Sequence, residues 1–396
     1  MRVLYATPFV PWPLDTGGRL RAFHLARTAA QHVPLELHAV AEPRDLTGAR
    51  RALEPHFDRL VIHDRSRPPF PGRLGLAKPE RWFHSEALKF ELARRATSRS
   101  QERTVLFLEE VFLARQVPPA LRPYTLVGRQ KIDSVFHAQT HPAPTTRQRI
   151  ETRRLERLEA FAAEHFSHHL TCSQGDATNL TARFPGSSEP RVLPSGFDPE
   201  FFTGQSDPAL RQGGPVVFLG SLDYAPNQDA LEHLVQDILP LLRATHPDAK
   251  VQLVGRRPSA RARELVGPNL ELHSDVPDAR PFLERAACVV VPLRIGGGTR
   301  LKIVEALALG CPLVSTTTGA QGLELTPNQH LLVADEPVAF AAAVARLLDG
   351  PEQASALGRA GAEAVHRIYP WNRLGERLIH LLRPLCESPS FPAPRL

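Results

Sequence analysis

The chain has little lysine: five lysines stand against forty-three arginines in 396 residues, with a single methionine and four tyrosines. With 38 prolines beside it, that imbalance reads as compositional bias and not as chemistry. No stretch approaches the roughly 18–20 uninterrupted apolar residues that a membrane span requires. The N-terminal MRVLYATPFVPWPLD is broken by prolines and reads as a first strand, not a signal peptide, so a cytoplasmic location is expected. Only four cysteines occur, Cys172, Cys288, Cys311 and Cys386, with no CxxC or metal-type spacing. Free buried thiols are expected. His24, His137, His141 and the pair His168 and His169 lack partners at metal spacing, and no zinc site is expected. GxSxG is absent, which removes the hydrolase elbow. GxxxxGK[ST] is absent too, and a GxGxxG pattern over the glycine run would need glycine where Leu301 stands, so neither an NTPase loop nor a dinucleotide fingerprint is present.

What is present is α/β alternation. Residues 2–6, 35–40, 60–63, 104–108, 124–128 and 169–173 read as strands, and Arg191–Phe202 as a strand end followed by a turn. RLRAFHLARTAAQH reads as a helix capped by Thr16. After the polar, Gly- and Pro-rich stretch Thr203–Pro215, which reads as a linker, strands follow at 216–220, 251–255, 269–273, 288–293, 312–316 and 331–334. Asn227–Arg243 reads as one amphipathic helix. At this length the pattern predicts two doubly wound α/β domains, with ligands at the carboxyl ends of the strands. The net charge of +6 is uneven. Residues 1–190 carry +8 and the remainder −2. An anionic partner is one reading of that asymmetry, and scattered surface arginines are the other. The helix RQRIETRRLERLEAF interleaves arginines with Glu151, Glu156 and Glu159 and reads as a salt-bridged solvent face, with a lipid-facing role as the alternative.

The most informative segment is PLRIGGGTRLKIVEALALGCPLVST. A buried strand leads into Gly296-Gly297-Gly298, then a helix over Arg300–Leu309 capped by Thr299 and stopped by Gly310. Glycine permits close backbone approach, and a helix N-terminus offers free N–H groups and a positive dipole end. Such a turn is an anion site, suited to a diphosphate, with Arg300 and Lys302 adding charge-assisted bonds. Glu305, placed about 9 Å along from the cap, is suited to ribose hydroxyls.

This segment, through PLVSTTTGAQGLEL, resembles the donor-site signature of the family 4 (group 1) glycosyltransferases of the GT-B fold, in the GGGTRLK-type branch. VLPSGFDPEFF, VGRRP and SDVPDARPFLERAACVVVPL are similar to further family segments, in the right order. The resemblance implies an α/β GT-B fold, two Rossmann-like doubly wound domains facing a central cleft. An N-terminal acceptor-side domain would span 1–198, with a crossover helix 371–396 packing back on it. A donor-binding domain would span 199–370. The implied function is a retaining glycosyltransferase moving a sugar from a UDP- or GDP-sugar to a hydroxyl acceptor on a glycan or lipid. No cofactor or metal is implied, since the nucleoside diphosphate sugar is a substrate. No nucleic-acid partner is implied, and the implied place of work is the cytoplasm, with the inner face of the membrane as the alternative.

Residue by residue, the resemblance assigns Gly297, Gly298, Thr299, Arg300, Lys302, Glu305, Ser221 and Arg256 to the donor, and the Gly17-Gly18 backbone to the cleft. Of the family's two glutamates, the second falls on Glu305 and the first on Gly297. The family's phosphate-clamping Arg and Lys fall on Ser221 and Pro226, so Arg300, with Lys302, is expected to replace them. A histidine common in the family falls on Gln130, with Lys131 and Asp133 as neighbouring polar candidates for the catalytic role. Two alternatives remain open: a nucleotide-sugar-binding protein without turnover, and a nucleotide-sugar epimerase.

Overall fold

The computed structural model describes residues 1–41, 46, 48–97, 103–202, 208–267 and 269–387. The chain folds as two compact units, divided after Ser195 and again before Trp371.

The first unit is built on a seven-stranded sheet: β1 (Arg2–Thr7), β2 (Leu35–Ala41), β3 (Arg59–Asp64), β4 (Thr104–Leu108), β5 (Thr125–Arg129), β6 (His168–Thr171) and β7 (Arg191–Val192). Their order is β3-β2-β1-β4-β5-β6-β7, and every pairing is parallel. β1 and β2 are almost wholly buried and mainly apolar, as strands covered by helices on both faces must be. The order reverses between β1 and β4, which defines a topological switch point. Thr16 caps the helix Gly17–Ala30, its hydroxyl accepting from Arg19 N–H. The helix Trp371–Glu387 packs on that helix. A Cβ at Gly375 would lie 2.3 Å from Thr28 Oγ1, so only glycine permits the approach. The Trp371 ring stacks on His24 at 5.7 Å.

The second unit, from Gly196 to Pro370, carries six strands: β8 (Val216–Leu219), β9 (Val251–Gly255), β10 (Leu270–Ser274), β11 (Cys288–Val291), β12 (Leu313–Ser315) and β13 (Leu332–Val333). Their order is β10-β9-β8-β11-β12-β13, again all parallel. Here the switch point lies between β8 and β11. Residues 203–207 of the expected linker lie outside the described residues. Its remainder belongs to this unit, where the buried Arg211 donates to the carbonyls of Leu283, Ala286 and Leu309. The expected single helix over Asn227–Arg243 is instead three segments, Ala225–His233, a π-turn Leu234–Ile238 and Leu239–Thr245. Pro240 lacks the N–H that an unbroken α-ladder needs there. All four cysteines are free and buried. Among the described residues no helix is long and apolar enough to cross a membrane.

Candidate donor site

The glycine loop leaves the carboxyl end of β11 at the switch point of the second unit. Gly298 has φ +72°, the left-handed region that favours glycine. The helix that follows runs Leu301–Ala308, and its cap position is Arg300, with no side-chain cap bond. Thr299 therefore does not cap it, a correction to the sequence reading. The helix is buried on most of its surface, through Ile303, Val304, Ala306, Leu307 and Ala308. It ends as expected at Gly310 (φ +71°), whose N–H donates to Leu307 O at 2.8 Å while Cys311 N–H donates to Ala306 O at 3.0 Å. That pair of reversed bonds satisfies carbonyls the helix end would leave bare.

The two basic residues of the triplet part company. Arg300 is buried (7% exposed), and its guanidinium turns back, donating to Gly298 O and to Thr318 O at 2.7 Å. It lies flat on the loop: a Cβ at Gly296 would meet its Nη2 at 2.7 Å. Arg300 thus ties the glycine loop to the segment after β12, where the sequence reading had aimed it at a diphosphate. Lys302 points the other way. Its Nζ donates to Asn227 Oδ1 at 2.7 Å and sits 5.2 Å from the centre of the Phe218 ring. A Cβ at Gly220 would lie 2.8 Å from that Nζ and 2.7 Å from Asn227 Nδ2. Glycine at the end of β8 is what admits the amine. Asn227 in turn donates to Ser221 O at 2.8 Å, so its amide is fully oriented.

Lys302 thus carries its charge to the carboxyl end of β8, where Ser221 and Pro226 supply none. Burial, and then the charge of Arg300, pull the Lys302 amine down to about 7. Burial pushes the Glu305 carboxyl up to about 7, and Lys302 only partly offsets it. Both groups pay for desolvation without a close ion pair between them. The Glu305 carboxylate makes no hydrogen bond to a described residue. Such opposed perturbations in one place are typical of functional sites.

Ser221 Oγ donates to Asp223 at 2.8 Å and accepts from Arg257 Nη2 at 3.1 Å, and Arg257 Nε donates to Asp223 at 2.7 Å. The side chain that reaches this loop is therefore Arg257, not the neighbouring Arg256. Arg257 has φ +50°, a turn that sequence reasoning did not foresee. Gly220 and Asn227 were also missed, although a glycine closing an apolar strand is a readable signal of close approach.

The first unit gathers a second cluster at its own switch point. Glu109, at the end of β4, accepts from Tyr5 OH, from Arg21 Nε at 2.9 Å and from Gln130 Nε2 at 3.2 Å. Gln130 is packed against Gly18, where a Cβ would lie 3.3 Å from its Oε1. Gly17 and Gly18 open the helix, so their N–H groups are among those without an intrahelical acceptor. Burial pushes Glu109 up, opposed by Arg21. Lys131 Nζ lies 3.5 Å from Asp133. Burial raises Asp133 and, with Asp133 beside it, Glu110. Arg129 is 1% exposed and all three guanidinium nitrogens lack a hydrogen-bond partner among the described residues. Glu159, Asp133 and Glu110 favour its charge against burial. Gln130 is thus brought to the glycine turn, while Lys131 and Asp133 join Glu110. The pair Glu109-Glu110 ending an apolar strand was the signal that would have found this network.

Residues 214–350 match the family model described as glycosyl transferases group 1. A GDP-mannose-dependent monoacylated alpha-(1-6)-phosphatidylinositol monomannoside mannosyltransferase of Corynebacterium glutamicum is 29% identical, over 48% of this chain and 55% of that protein. A phosphatidyl-myo-inositol mannosyltransferase of Mycobacterium leprae is 29% identical over 46% of this chain and 49% of its own. The chain thus spans about half the length of the curated relatives it matches. Among solved structures, the sucrose-phosphate synthase of Thermosynechococcus elongatus superposes with a TM-score of 0.72 at 17% identity, covering 97% of this chain and 99% of that one. Anabaena HepE, in complex with UDP-glucose, gives a TM-score of 0.68 at 14% identity, covering 97% and 100%. These likenesses establish a GT-B fold of two parallel-sheet, Rossmann-like domains.

Proposed function

We propose that this chain, which matches the group 1 glycosyl transferase model over residues 214–350, moves a sugar, with retention, from a nucleoside diphosphate sugar to a hydroxyl acceptor. The observation that carries the donor half is the convergence at the β8/β11 switch point. There the glycine loop and the Lys302 amine beside Gly220 lie at one helix start, with Glu305 three residues after Lys302 on the same helix. Lys302 and the loop N–H groups hold the diphosphate, and Glu305 accepts from ribose hydroxyls. Arg300 shapes the loop. The leaving diphosphate takes the acceptor's proton, with charge stabilised by the oriented donors, and no metal enters the scheme. Gln130, held by Glu109, orients the acceptor. The solved neighbour bound to UDP-glucose and the relative that uses GDP-mannose support testing both bases, with glycan or lipid-linked acceptors.

The test is nucleotide release from a panel of UDP- and GDP-sugars, with and without a glycan and lipid-extract acceptor, and proton NMR of the product's anomeric centre. Acceptor-dependent release with the donor's anomeric configuration kept supports the reading. An inverted product overturns retention. Tight donor binding with no release across the panel overturns transfer, and supports the binding-only reading that Gly297, in place of a family glutamate, favours.

A further inference from the structure

Glu109 stands at the end of β4 and Gln130 just beyond β5, where the two strands converge. A Cβ at Gly128 would lie 2.8 Å from Leu108 O and 3.1 Å from Glu109 O, so glycine is what lets the strand ends approach. The Gln130 side chain is thereby brought to Glu109, with Nε2 at 3.2 Å from Oε1. Its backbone is held as well, since the Gln130 N–H bonds the Glu110 carboxyl and favours its ionised form.

Glu109 has no hydrogen to give that amide. Its Oε1 also accepts from Arg21 Nε at 2.9 Å, and its Oε2 from Tyr5 OH. Arg21 is 1% exposed, and a guanidinium keeps its proton, so a charge buried there needs an ionised partner. Burial works against the Glu109 carboxylate, while Arg21, Tyr5 and Gln130 each favour it. An ionised carboxylate only accepts. The part of the Gln130 amide turned to it is therefore the NH2 group, and the oxygen is turned away. Among the described residues nothing donates to Gln130 Oε1. The amide edge lies along Gly18, where a Cβ would come within 3.3 Å of Oε1, and Gln130 is only half-buried. A free amide offers either end to a ligand. This one offers its oxygen alone.

We propose that Glu109 is a positioning residue: it turns the Gln130 amide so that only the oxygen meets the substrate, where it accepts the hydrogen of an acceptor hydroxyl. The proposal rests on the transferase reading and narrows its substrate. The group that Gln130 meets must carry a hydrogen to donate, as the hydroxyl of a sugar or polyol does. A phosphate or carboxylate oxygen in that place would face the amide oxygen with no hydrogen between them. Any anionic part of the acceptor is therefore held elsewhere.

The test replaces Gln130 with side chains whose accepting power depends on protonation. In Q130E the introduced carboxyl, while protonated, donates to Glu109 and presents its carbonyl oxygen. Once ionised it is repelled by Glu109. In Q130H the neutral imidazole donates one N–H to Glu109 and presents a lone pair, whereas the imidazolium has donors only. Nucleotide release with glycan and lipid-extract acceptors is read from about pH 5.5 to about pH 8.5, where an imidazole titrates. Each rate is taken as a ratio to the parent chain at the same pH. The titration of Tyr5, Glu109, Glu110, Lys131, Asp133 and Cys172, common to all, then cancels. The ratio should fall with rising pH in Q130E and fall with falling pH in Q130H. Q130M, which has no such acceptor, should lose about tenfold in rate at limiting acceptor across the range, with the KM of the donor unchanged. A Q130H ratio that rises toward low pH, or flat ratios in both titrating variants, overturns the proposal.

The direction of the amide is read without turnover. With glutamine side chains labelled with 15N, Gln130 gives the NH2 pair that is missing from Q130M. Its two protons should be widely split, one of them held downfield by the carboxylate. A pair like those of solvent-exposed glutamines overturns the orientation whatever the turnover. A parent chain that releases no nucleotide with any acceptor, its split pair intact, counts against transfer alone and supports the orientation.

Discussion

Lys302 and Glu305 predict a proton exchange whose sign reverses with pH. The free amine of Lys302 titrates near 7 because it is enclosed by Gly220, Asn227 and Phe218 and sits near Arg300. At pH 8 it is about one-tenth protonated. A diphosphate placed on it favours the ammonium form, so binding at pH 8 should draw up close to one proton. Glu305, also near 7, is then about nine-tenths ionised and contributes little. At pH 6 the roles exchange. Lys302 is already about nine-tenths charged, whereas Glu305 is about nine-tenths protonated. Ribose hydroxyls that donate to it favour the carboxylate, so binding should release close to one proton.

The assay is titration calorimetry with UDP and with GDP, in buffers of different ionisation enthalpy, at both pH values. The slope of apparent enthalpy against buffer enthalpy counts the protons. Lys302→Met should abolish the uptake at pH 8 and leave the release at pH 6. Glu305→Gln should do the converse. Buffer-independent enthalpies in the wild type, or an uptake at pH 8 that survives in Lys302→Met, would refute the assignment of either charge to the ligand.

Three further outcomes are expected. Gly298→Ala places a Cβ at φ +72° and should cost about 1–2 kcal/mol in urea denaturation; an unchanged midpoint contradicts the loop conformation. Arg300→Lys keeps the charge but cannot span Gly298 O and Thr318 O, so stability should fall by about 1.5–3 kcal/mol per bond lost. Lower UDP affinity at full stability would instead make Arg300 a direct ligand of phosphate. Glu109→Gln leaves Arg21 buried beside a neutral partner and should cost about 3–5 kcal/mol, read by denaturation at pH 7.

The sheets were legible because their strands are continuous apolar runs, and buried parallel strands leave little else to read. The strand order, and with it each switch point, is not written in that alternation and is set by the tertiary pairing. The exceptions share a cause, which is direction. Arg257, not Arg256, reaches Ser221 because the chain turns through φ +50° at that residue, and nothing local in RR announces it. Tyr5 meets Glu109 across 104 residues, a contact set by the order of β1 and β4 and by no spacing. The π-turn at Leu234–Ile238 disturbs a periodicity that reads as one clean helix.

The triplet at Arg300 and Lys302 is different, since elementary helix geometry already constrained it. Residues two apart on a helix point about 200° from each other and do not share a face, whereas residues three apart do. One ligand at the helix start could therefore not receive both basic side chains along with Glu305. The residue three before Glu305 is Lys302, so charge toward the ligand falls to the lysine and the arginine must go elsewhere. It goes to two carbonyls of the loop itself, a task that suits a planar fork better than a point charge. The compact amine of Lys302 fits the space that Gly220 leaves open.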